Sequence, residues 1–158
     1  PDDLARVTQL TQKTNQFNLT TRRYSEGQVE ALMNDAGAAV LAMSVRDRYG
    51  ELGTTGVMIA MREGDSARVD TLLLSCRVLG RKLEFAFVDR CLARLEQDWG
   101  IAEWRAEYLP TRKNGQVADF WERVGFSVDA QTDSMTAYVR PAGRRHDNYS
   151  DVMSITEA

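Results

Sequence analysis

The sequence predicts an α/β domain, and three observations carry that prediction. Apolar residues recur every three to four positions in several segments, the period of an amphipathic helix. Between those segments run short, apolar, partly alternating stretches joined by glycine-containing turns, the mark of strands. Serine, asparagine and glycine stand where helices need their ends capped.

Each element follows in order. Leu4, Val7, Leu10, Thr14 and Phe17 set a first amphipathic helix that runs into NQFNLTTRRY. Ser25 and Gln28 form a capping box before Val29, Leu32 and Met33, a short second helix. AAVLAMSVRDRYG and GVMIAMREGD read as adjacent antiparallel strands, and ARVDTLLLSC as a third. Leu83, Phe87, Cys91, Leu92, Leu95 and Trp99 then mark one face of a long helix, which Gly100 stops in a left-handed cap. IAEWRAEYL is a further strand, ended by Pro110. Asn114 is the expected N-cap of GQVADFWERVGF, with Val117, Phe120, Trp121 and Val124 on one face and Gly125 at its end. DSMTAYVRP is the last clear strand. Residues 141–158 form a polar C-terminal tail in which VMSI is a candidate edge strand.

Composition narrows the function. The 158 residues fit one domain, residues 1–158, with no repeat or linker to divide it, and 43% hydrophobic with 27% charged residues is an ordinary globular balance. A formal charge of -3 argues against nucleic acid or an anionic membrane as partner, so any phosphate recognition must be local. No apolar run approaches the roughly 20 residues of a spanning helix. Two cysteines suggest neither a disulfide framework nor a zinc site, and no metal is expected; that usage fits a reducing, cytoplasmic setting. The chain begins at Pro1, which fits a domain excised from a longer protein.

The order of elements is distinctive: two helices, antiparallel strands, an Arg-x-x-Gly turn into a long helix, a strand, then a short helix ending Gly-Phe. It resembles the GNAT acyltransferase fold over nearly the whole chain, which implies a central mixed, mostly antiparallel sheet flanked by helices. In that family the turn reads Gln/Arg-x-x-Gly-x-Gly/Ala, and its backbone N–H groups hold the pyrophosphate of an acyl-CoA at a helix N-terminus. The resemblance therefore implies a cofactor-binding set of Arg77, Val78, Leu79, Gly80, Arg81 and Lys82, with Asn114 from the second motif. Lys82 stands where the family has Gly or Ala. Trp121 stands where many members have the tyrosine that protonates the departing thiolate, and an indole is no general acid.

A narrower resemblance rests on RVTQLTQKTNQFNLTTRRY, DTLLLSCRVLGR and EYLPTRKNGQVADFWERVGF. These strings look like the C-terminal, GNAT-like part of FkbH-type glyceryltransferase/phosphatases (HAD subfamily IIIC). That resemblance implies transfer of a glyceryl group from 1,3-bisphosphoglycerate to the phosphopantetheine thiol of an acyl carrier protein in polyketide biosynthesis. It also implies a haloacid-dehalogenase-like phosphatase domain in the same polypeptide. Two other functions stay open: a non-catalytic module that docks the carrier protein, and an acetyl-CoA-dependent N-acetyltransferase.

Individual residues divide these readings. Cys76 precedes three cations, Arg77, Arg81 and Lys82, and a helix N-terminus, surroundings that favour a thiolate able to carry a glyceryl thioester. A small buried strand-end residue is the competing reading. Cys91 lies on the apolar helix face and is core. Asn15, Gln16, Asn18 and Thr20, with Thr21 beside them, are candidates to bind the glyceryl hydroxyls; a helix C-terminus closed by its own side chains explains them equally well. Arg22 and Arg23 are solvated, or dock an acidic carrier. Asp70 and Glu107 are candidate bases or ion-pair partners. His146, the only histidine, reads as a surface residue.

Overall fold

The computed structural model describes residues 2–144, so His146 and the VMSI segment lie outside the described residues. Helix α1 (Asp2–Lys13) stops before Thr14 and Phe17, short of the expected run. The guanidinium of Arg23 explains where it stops, because it takes the carbonyls of Thr11 and Thr14 that the last turn leaves without partners. Helix α2 (Glu26–Asn34) opens on the predicted capping box: Ser25 Oγ accepts from Gln28 N, and Gln28 Oε1 accepts from Ser25 N at 2.8 Å.

Strands β1 (Ala38–Asp47), β2 (Gly50–Glu63) and β3 (Ser66–Leu74) follow as an antiparallel meander, turning between Asp47 and Gly50 and between Glu63 and Ser66. β2 thus starts earlier than the predicted Gly56, since its ladder with β1 continues down to the turn. β3 ends at Leu74, and Cys76 opens a separate 3-10 turn (Cys76–Val78) rather than closing the strand. Helix α3 (Leu83–Trp99) ends on Gly100 in the left-handed conformation, as predicted. Strand β4 (Glu103–Tyr108) leads to a second 3-10 turn (Gly115–Val117) and the single-turn helix α4 (Phe120–Arg123). Asn114 makes no side-chain cap there, because its amide is engaged elsewhere. Strand β5 (Ser127–Gln131) was not anticipated: all of its positions are exposed, so it carries no apolar alternation. β6 (Thr136–Pro141) completes the sheet.

The strand order is β1-β2-β3-β4-β6-β5. Among the described strands only β3 and β4 pair in parallel, which requires the crossover that α3 supplies. Alternation along the central strands divides the apolar residues between two faces. Val57, Ile59 and Leu73 pack with Val7, Leu10 and Val29 under α1 and α2. Met58, Ala60, Leu72 and Leu74 pack with Phe87, Leu92 and Leu95 of α3 and with Phe120 and Trp121. The described helices include none long and apolar enough to cross a membrane.

Leu92 is fully buried in the α3 face, whereas Met33 on α2 is 54% exposed. Leu92→Ala should cost about 2–5 kcal/mol in urea unfolding, and Met33→Ala should stay within about 0.5 kcal/mol of the parent. Equal losses would mean that α3 does not carry the core.

Candidate functional site

The site is built where β3 and β4 part. Their parallel ladder covers only Ser66–Val69 against Glu103–Ala106. Beyond it the strands diverge, and the backbone of residues 17–19 enters the gap. Leu19 N donates to Leu72 O at 3.1 Å and Leu74 N to Phe17 O at 3.0 Å, while Leu109 N donates to Leu19 O at 2.9 Å on the other side. Asn18 bridges antiparallel to Leu73. The segment therefore behaves as a short inserted strand. Its side chains alternate accordingly: Phe17 and Leu19 enter the α3 core, while Asn18 and Thr20 face the other way. That alternation is legible in FNLT, yet Phe17 also fits the helical spacing of the preceding segment.

Asn114 locks the insertion. Its buried amide donates to Asn18 O and Leu109 O, both at 2.9 Å, and its Oδ1 accepts from Thr111 N at 2.7 Å and from the Tyr108 hydroxyl at 3.3 Å. The polar atoms of Asn15, Asn18 and Thr20, expected to bind ligand, are also engaged internally. Asn18 Nδ2 donates to Thr14 O and its Oδ1 accepts from Thr21 N; Thr20 Oγ1 donates to Asp70 O; Asn15 meets Lys13 O and the Arg23 guanidinium. Gln16 alone of that group is exposed. Trp121, 1% exposed, donates its indole N–H to Glu107 O at 3.0 Å and packs against Phe120 and Phe126. Tyr108, which sequence reasoning did not single out, ends β4 with a hydroxyl that burial holds protonated above its usual range.

On the α1/α2 face a charged cluster closes the same gap. A β-bulge between Ile59 and Ala60 of β2 leaves Asp70 as the extra residue of β3, which turns Asp70 and Thr71 to one side. Asp70, 4% exposed, accepts from Arg22, Arg68, Thr71 and the Tyr24 hydroxyl. Arg22 also bonds Glu107 at 2.6 Å, so its guanidinium staples β3 to β4. Asp70 and Glu107 thus sit as ion-pair partners of the half-buried Arg22, whereas Arg23 is exposed, as expected, while its guanidinium bonds Thr11 O, Thr14 O and Asn15.

At the open end lies the turn that connects β3 to α3. Ser75 caps it, and the N–H groups of Arg77, Val78 and Leu79 are spent on Ser75 Oγ, Ser75 O and Cys76 O. Val78 is fully buried and anchors the turn to the core. Gly80 (φ 78°) and Lys82 (φ 60°) are both left-handed, with Arg81 of ordinary hand between them. Lys82 is also the N-cap of α3 and offers it no side-chain cap. The left-handed φ shows why glycine suits that position and what a lysine must tolerate there. Cys76, Arg77, Arg81 and Lys82 are all exposed, and Arg81 also reaches Asp47 Oδ2 at 3.0 Å. That hydrogen bond holds the Asp47 carboxyl below its usual range. Glu84 brings an acid into the first turn of α3.

No family model and no curated protein matches the sequence. Solved structures do match. The ribosomal-protein-S18-alanine N-acetyltransferase of Escherichia coli aligns at a TM-score of 0.65 and 16% identity, covering 93% of this chain and 92% of that one. Ard1 of Thermoplasma volcanium aligns at 0.71 and 16%, covering 91% and 94%. The spermidine N-acetyltransferase of Vibrio cholerae, solved with CoA and spermine, aligns at 0.64 and 12%, covering 89% and 90%. The fold is that of the GNAT acyltransferases.

Tyr24 carries a pH signature of the charged cluster. Its pKa is pushed from the ordinary 10.0 up to about 12, first by burial and then by its hydrogen bond to Asp70. The folded state therefore binds this proton more tightly than the unfolded chain, so its contribution is complete below about pH 10 and is lost as pH rises toward 12. Wild type should lose stability across that window faster than Tyr24→Phe, measured by denaturant unfolding at stepped pH. Parallel curves would show that the phenol is not held by Asp70.

Proposed function

We propose that this domain is of acyltransferase type and grips the phosphate end of an acyl-thioester donor, either an acyl-CoA or the phosphopantetheine arm of an acyl carrier protein. The observation that carries the reading is the turn at Gly80 and Lys82, whose left-handed residues lead into the N-terminus of α3, where no side chain caps the first N–H groups. The helix dipole favours an anion there, and the exposed Arg77 and Lys82 add positive charge. Acetyl-CoA is the donor that the structural neighbours favour, with an amine as acceptor. In either case, Arg77→Ala should weaken CoA binding about two- to fivefold in calorimetric titration, and added salt should weaken it further. Unchanged affinity in both tests would remove the phosphate cradle.

A second reading is favoured by Cys76 and Trp121. The thiol is exposed on the turn beside the cradle, and the indole that stands in place of a tyrosine acid is committed to Glu107 O. Under this reading Cys76 carries a glyceryl group between a phosphatase domain of the same polypeptide and the carrier thiol, as the FkbH-type resemblance suggests. Full-length protein supplied with 1,3-bisphosphoglycerate and magnesium should then show a glyceryl adduct on the Cys76 peptide by mass spectrometry, and Cys76→Ala should abolish it together with carrier loading. Full loading by Cys76→Ala would leave a docking role. Saturable acetylation of a small amine by acetyl-CoA would select the acetyltransferase reading instead.

A further inference from the structure

The gap between β3 and β4 opens at the carboxyl ends of both strands, and β3 leads from that end through residues 75–82 to the N-terminus of α3. A donor whose phosphates sit at α3 therefore has the rest of its length beside the gap, and the gap is filled by residues 17–19. We propose that these residues are a displaceable strap, latched by Asn114, which an extended donor arm must replace before it can lie between the strands. The proposal rests on the donor reading above.

Three features support displacement rather than a fixed plug. The strap is not part of a hairpin; it is a short stretch of the connection between α1 and α2, held to the strands through Leu72 O, Leu74 N and Leu109 N. Leu72 and Leu74 are fully buried and their backbone groups need a partner, so the gap cannot stand empty. An arm with its own amide N–H and C=O groups can supply that partner, as an added strand does. The chain also leaves the strap in a costly conformation: Thr21 has φ 53°, and left-handed backbone is a true outlier for a β-branched residue. Finally, Phe17 meets Phe120 edge-on at 5.2 Å, and Phe120 stacks on Phe85 of the first turn of α3 at 5.6 Å. Contact is thus continuous between the strap and the proposed phosphate site.

Amide hydrogen exchange on the whole chain tests this with two probes, CoA and 3′-phosphoadenosine 5′-diphosphate, which is CoA without its arm. Saturating CoA should accelerate exchange at Leu19 N by about tenfold or more while Leu74 N and Leu109 N stay protected; the armless nucleotide should change none of the three. Asn114→Ala should tighten CoA about fivefold without altering nucleotide affinity. Phe17→Ala, which loosens the strap from Phe120 and leaves the latch amide in place, should shift the same ratio in the same direction. Leu19 N still protected in the CoA complex, with the affinity ratio unchanged in the variants, would make the strap a permanent part of the sheet and overturn the proposal. Failure of both probes to bind would instead remove the phosphate cradle, and this proposal with it.

Discussion

The structure depends on how one gap between parallel strands is filled. Once β3 and β4 diverge past Val69 and Ala106, their facing backbone groups lose each other as partners, and buried amides cannot stay unsatisfied. Residues 17–19 meet the need on both sides at once, and Asn114 meets it for Asn18 O and Leu109 O. One side-chain amide therefore joins the first connection of the chain to the strand-to-helix connection far along it. Its neighbours follow from that bond. Phe17 and Leu19 are seated against the α3 core, Thr20 is set over Asp70 O, and Arg22 is delivered to the carboxylates of Asp70 and Glu107.

The two faces of the gap differ chemically. On the α3 side it is closed by Phe17, Phe120 and Trp121, an apolar wall whose indole N–H is already bound. On the α1/α2 side it is closed by ions that balance one another: Arg22 and Arg68 against Asp70 and Glu107, with the Tyr24 hydroxyl as a further donor. A half-buried network of this kind holds its members in place because removing one leaves another charge uncompensated. Charge free to meet a ligand is found on the turn before α3, where Arg77 and Lys82 are exposed.

That turn also shows how a local sequence departure is absorbed. Lysine at position 82 keeps the backbone N–H that an anion needs and accepts a left-handed φ that glycine would adopt without cost. Its side chain adds a cation in the same place. Glu84 works against this gain, since it brings a carboxylate into the same helical turn.

Much of the architecture was determined by sequence alone. The 3.6-residue period of α3, the Ser25–Gln28 box and the left-handed Gly100 are local devices whose partners lie within a few residues, so they read directly and stand in the structure as predicted. The turn into α3 was legible only in part: Gly80 marked it, but the strand expected to reach Cys76 ends at Leu74 and Cys76 opens a 3-10 turn instead. β5 was not legible, because an edge strand with both faces in solvent needs no apolar pattern. Asn18, Thr20, Arg22, Asp70, Glu107 and Asn114 were visible as polar residues, but their roles depend on partners up to 96 positions away. Only the tertiary structure could decide that FNLT leaves its helical spacing to become an inserted strand. The reason is physical: the need it meets belongs to two other strands, and nothing near it in the sequence records where those strands part.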